Sequence, residues 1–168
     1  ELEPELRRYG LGGFNLRPPG ERPRYVANVY TEPFEGVHLK AIGFDMWQGP
    51  TRRETMQRAL ATRQPAITPK IVLSIDQESG PVAAFIMYMP AYDHGGRLVG
   101  YVLAPVRMMA LVADLLTPVT RGIGFSIYDG SEPGENALFY RSRPPGGERP
   151  QFTRSEVVTL GGRQWTLD

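Results

Sequence analysis

Asp45 closes the apolar segment Ala41-Ile42-Gly43-Phe44 and stands just before Trp47. A carboxylate at the rim of an apolar cavity accepts hydrogen bonds from the ring or exocyclic N–H groups of a planar ligand, and its charge strengthens them. The same residue type also caps turns, so a local structural role stands beside the binding one. Arg52 and Arg53 follow within Thr51–Glu54. In the first turn of a helix their positive charge opposes the helix dipole by about 0.3 to 1 kcal/mol each. Something must offset that cost, either a carboxylate such as Asp45 or Glu54, or an anionic ligand group gripped by the guanidinium fork. A solvated face or a structural ion pair is the plainer account of at least one of them.

Little else in the chain suits catalysis. His38 and His94 are the only histidines and have no metal-ligand spacing to each other or to a carboxylate cluster. The chain has no cysteine, which removes thiolate metal sites, cysteine nucleophiles and disulfides together. Ser74, Ser126, Asp93 and His94 show no nucleophile-elbow context, and His94 falls in an expected hairpin turn. No cofactor, metal or catalytic residue is therefore assigned. With 19 basic and 18 acidic residues the formal charge is +1, and no segment combines Lys and Arg with interleaved aromatics. That argues against a nucleic-acid partner.

The elements that must position these residues are short. At 168 residues, 41% hydrophobic and 22% charged, the chain can bury a core, while 19 Gly and 16 Pro imply many turns. Residues 1–9 read as a helix. Arg24 to Tyr30 alternates like a strand, and Thr51 with Glu54 has capping-box spacing for a helix that stops at Gln64-Pro65. Lys70 to Asp76, Val82 to Met89 and Arg97 to Ala104 read as an antiparallel meander, with turns at residues 77–80 and 92–96. Pro105 suits the first position of a buried helix running from Val106 to Leu116. Strand patterns follow at Ile123–Tyr128, Ala137–Tyr140, Gln151–Leu160 and Arg163–Leu167. Periodicity alone thus yields a mixed α+β fold. No apolar run of about 18 residues is present, so no membrane span is expected within the sequence.

Several short motifs occur in a telling order: V-Y-T-E-P-F-E-G from Val29, G-F-D ending at Asp45, T-R-R-E-T-M-Q-R-A-L-A-T from Thr51, L-S-I-D-Q from Leu73, M-P-A-Y from Met89 and G-Y-V from Gly100. Together they resemble a CHASE domain, the extracytoplasmic sensor module of bacterial and plant transmembrane signalling proteins. Asp45, Arg52, Arg53, Thr68, Leu73, Pro90, Tyr92 and Gly100 stand at the family's characteristic positions. Val37 and His38 occupy the place where the family usually has an Asn.

The resemblance implies tandem PAS-like domains with antiparallel sheets, preceded by a truncated stalk helix. Its divisions would be residues 1–14 for the stalk, 15–104 for a membrane-distal ligand-binding domain and 105–168 for a membrane-proximal one. It implies a periplasmic or extracellular module between two membrane helices, a homodimer formed through stalk helices, and a histidine kinase or cyclic-di-GMP enzyme as cytoplasmic output. In plant cytokinin receptors of this family the matching Asp binds the ligand base, which assigns Asp45 as the anchor for a small organic ligand. Trp47, Ile67, Thr68, Leu73, Gln77, Met87, Met89, Gly100 and Val102 would complete the pocket, with Arg52 and Arg53 as anion or ion-pair sites. Met adapts to irregular apolar ligands and Gly admits close approach, although both also serve plain packing. The competing account is an interaction or dimerisation module whose pocket is filled by Trp47, Phe85, Met87 and Met89.

Overall fold

A computed structural model describes residues 14–73, 82–115, 123–142 and 152–168. The expected stalk helix, Gln77 and Ser74 lie outside the described residues. The chain divides into two compact units, one ending at Glu54 and the other beginning at Thr55.

The first unit is held by backbone pairing between irregular segments. Isolated bridges join Arg17 to Phe44 and Ala27 to Asp45, and short 3-10 helices span Gly36–Ala41 and Met46–Gln48. Arg24 to Tyr30 does not form the expected strand. Its partner segment turns at Gly43 and enters a 3-10 helix at Met46, so only a single bridge at Ala27 develops. Gly43 sits at φ +80°, and a Cβ there would lie 2.0 Å from the carbonyl oxygen of Asn15. Only glycine fits this close approach. Helix α1, Pro50–Thr62, starts two residues earlier than the capping-box spacing suggests, with proline at its first position.

Among the described residues the second unit contains two antiparallel sheets of four strands each. The first comprises β1 (Ala66–Ile67), β2 (Ile71–Val72), β3 (Ala83–Tyr92) and β4 (Leu98–Arg107). Strands β1 and β2 pair with successive parts of β3 on one side, and β4 covers the other. The β3–β4 turn is fastened by Asp93, whose Oδ1 accepts the backbone N–H groups of Gly95 and Arg97. The Arg97 N–H above all, with the Arg97 side chain and the Gly95 N–H, holds this carboxyl below its usual pKa. β4 continues through Pro105, which pairs with Ile86, and α2 begins only at Met108, spanning Met108–Leu115. The expected helix start at Pro105 is thus corrected. β4 is an edge strand, where a residue without an N–H costs the sheet no ladder bond.

The second sheet has the order β6-β5-β8-β7, with β5 Ser126–Asp129, β6 Leu138–Arg141, β7 Glu156–Leu160 and β8 Arg163–Leu167. Ile67 and Phe85 of the first sheet, Met108 and Val112 of α2, and Ile127, Phe139 and Trp165 of the second sheet form one buried cluster. Phe85 meets Phe139 and Trp165 edge-on, at centroid distances of 6.3 and 5.1 Å, a favoured aromatic geometry. The α+β class agrees with expectation. A division at residue 104/105 differs from what is seen, because β4 runs through that point and the shared core is drawn from both sides of it.

Candidate functional site

Asp45 has no exposed surface. Its Oδ1 accepts the backbone N–H groups of Val26 at 2.9 Å and Trp47 at 3.1 Å. Its Oδ2 lies 3.2 Å from Arg22 Nε and accepts Gln48 Nε2 at 3.4 Å. The carboxylate therefore caps the short helix Met46–Gln48 and binds it to the segment around Val26, instead of standing open at a cavity rim. Removing it from water is offset by a cation and by several donors. The Ala27–Asp45 bridge brings these partners together, with Met46 N–H donating to Val26 O at 2.9 Å and Asp45 N–H to Arg17 O at 2.8 Å.

Arg22, which sequence reasoning passed over, is the ion-pair partner of Asp45. The two stand 23 positions apart, so no local spacing signal marks the pair. Arg52 instead places its guanidinium over the Phe44 ring at 5.3 Å, a cation–π contact that offsets part of its unfavourable place at the helix start. Arg53 donates its backbone N–H to Gly49 O and is half-buried. Trp47 is half-buried, with the Arg24 guanidinium 5.0 Å above its ring.

Ile67, Met87, Met89, Gly100 and Val102 gather on the first sheet of the second unit. Residues directly opposite in antiparallel strands share a face. The pairs Ile67–Met87, Met87–Ala104, Met89–Val102 and Ala91–Gly100 therefore line one face, and Phe85–Val106 lies at its covered end. Exposure rises along this face from Phe85 at 2% to Met89 at 40% and Val102 at 67%. A Cβ placed on Gly100 would meet nothing within 4 Å. The result is an apolar shelf that continues out of the aromatic core. The opposite face, with Ala84, Ile86, Tyr88 and Pro90, is buried, and Tyr101 Oη donates to Met56 O of α1 at 3.3 Å.

Thr68 and Leu73 are buried away from that shelf. Thr68 N–H donates to Ile86 O and its Oγ1 accepts Ile86 N–H, both at 3.0 Å, so its polar groups are spent on the sheet. Leu73 is 4% exposed, following β2. Ala91 and Ala104 belong to the shelf without having been singled out. The signal was present, since Met87, Met89 and Ala91 alternate along β3 as period two requires.

A family model for the CHASE domain matches residues 1–140. Among solved structures, the ligand-binding domain of the Pseudomonas aeruginosa amino acid chemoreceptor PctC, in complex with GABA, is similar at 17% identity with a TM-score of 0.38. The similarity covers 66% of this chain and 57% of that one, so this chain spans little more than half of its length. No curated protein matches the chain.

Proposed function

Because the chain belongs to the CHASE domain family, we propose that it is the ligand-binding sensor domain of a transmembrane signalling protein, set on the periplasmic or extracellular side of an inner membrane. Among the described residues no helix is long and apolar enough to cross a membrane, so in this reading the flanking spans are separate segments of the whole protein. The output is a histidine kinase or a cyclic-di-GMP enzyme, and homodimerisation through stalk helices carries the signal. A ligand drives such a relay only through its different affinity for two arrangements of the protein.

The observation that supports a small-molecule seat is the shelf of Ile67, Met87, Met89, Gly100 and Val102. Its apolar side chains share one face, and the space over Gly100 is free. Methionines suit a ligand with an irregular apolar body. Gln77 lies outside the described residues.

The test is a thermal-shift screen of the purified domain against purines, amino acids, carboxylates and peptides, repeated on Gly100→Leu. A ligand at about 100 times its dissociation constant stabilises by about 2.7 kcal/mol. Gly100→Leu, which fills open space, is expected to fold normally and to lose that shift. A shift that survives the substitution moves the seat off the shelf. A broad library without a single stabilising compound favours the interaction-module account.

A further inference from the structure

The second unit leaves several strand edges open, and they are not alike. β4 carries Pro105 on its free side. β6 spans only Leu138–Arg141 and pairs with a register shift at Ile127/Tyr128. Proline, shortness and bulges are the devices by which sheets discourage edge-to-edge pairing. β7 has none of them. It pairs with β8 in an unbroken register from Glu156 to Leu160, contains no proline, and is exposed at every residue.

Its side chains do not match a strand built for water. Val157 is 50% exposed, Val158 38% and Leu160 42%, so apolar groups stand on both faces of an edge strand. A solvated edge alternates polar and apolar residues, whereas a strand with apolar groups on both faces is typical of a sheet interior. Phe152, just upstream, is 91% exposed, and Arg154 pairs with Glu156.

We propose that β7, together with residues 152–155 that lead into it, is a pairing edge for a second copy of this chain, joining two such sheets antiparallel about a two-fold axis at Ser155. In that register Arg154 lies opposite the partner's Glu156 and Glu156 opposite the partner's Arg154. Phe152 meets the partner's Val158, and Thr153 meets the partner's Val157. The charges are self-complementary, Phe152 and Val158 are matched, and the smallest side chain falls on the axis. A two-fold interface requires this kind of self-matching. Free N–H and C=O groups of the edge supply the ladder, as in strand addition generally. The interface is distinct from any dimerisation through stalk helices and does not depend on the shelf being a ligand seat.

The test uses exposed positions, so folding is expected to be unaffected. Sedimentation of the wild type across a concentration series should show a monomer–dimer equilibrium. Arg154→Glu and Glu156→Arg each replace two attractive cross-strand pairs by repulsive ones, and each should weaken association by about tenfold or more. The double variant R154E/E156R should restore it. In the cysteine-free chain, Ser155→Cys should form a disulfide-linked dimer under mild oxidation, because directly opposed strand positions fall within disulfide reach. Ser131→Cys, exposed but away from β7, should not. A monomer at every concentration overturns the proposal. So does a dimer indifferent to both charge reversals, or cross-linking no better through position 155 than through 131.

Discussion

At the level of single residues, Asp45 is a carboxylate fully committed to its neighbours. Its oxygens meet Arg22, Gln48 and the N–H groups of Val26 and Trp47, with no exposed surface left. Asp45→Ala would leave a largely buried guanidinium and two backbone donors without their acceptor. Breaking such a pair from one side costs about 3 to 5 kcal/mol. Because the Arg22 side chain retains 16% exposure, water relieves part of this, and the expected loss is about 2 to 3 kcal/mol. Urea unfolding reads it as a lower midpoint at unchanged slope. Asp45→Asn keeps one acceptor for Val26 and Trp47 and should lose less. Equal losses in both would mean that the charge, not the capping, is what Asp45 contributes. The sequence made Asp45 conspicuous because a carboxylate follows an apolar run. It concealed Arg22, because a pair closed by tertiary bridges leaves no mark in local spacing.

At the level of elements, the legible parts are those whose pattern and context agree. Helix α1 follows from helical spacing and a proline beyond its end, and the β3–β4 hairpin from two β-rich runs around Asp93 to Gly96. Arg24 to Tyr30 has a strand's alternation but lacks a regular partner, and a strand exists only through its ladder. Pro105 signals a helix start to local reasoning, yet an edge position tolerates it equally well, and only the pairing with Ile86 tells which applies. The β7–β8 turn offers a sharp test. Gly161 lies at φ +53°, and a Cβ there would stand 2.8 Å from Ile67 Cγ2 and 3.0 Å from Ile67 N. Gly162, at φ +73°, faces the flexible Arg58 side chain instead, its nearest atom at 3.2 Å. Both alanine variants incur left-handed strain of about 1 to 2 kcal/mol. Gly161→Ala must also push β1 away, so its melting temperature should fall clearly below that of Gly162→Ala. Equal values would show that the turn yields without disturbing Ile67.

At the level of the whole molecule, the two sheets of the second unit behave as one body because their aromatic residues share a core. Phe85 comes from the first sheet, Phe139 and Trp165 from the second, and Met108 and Val112 from the helix between them. No repeat or periodicity announces this sharing, since each sheet's strands look complete in isolation. The family's tandem plan suggests a boundary where β4 in fact continues. The same arrangement explains why the shelf stays open at Met89 and Val102: the second sheet covers the Phe85 end of that face, and exposure increases away from it. Phe85→Ala tests the shared core directly. A buried phenylalanine replaced by alanine costs about 3 to 5 kcal/mol, a large part of the 5 to 15 kcal/mol typical of a domain's stability. If the core is common, amide exchange should accelerate by similar factors in β3 and in β5 and β8, because opening either sheet exposes the same cluster. Loss of protection confined to β3 and β4 would mean two cores that merely touch, and would return the boundary to residue 104/105.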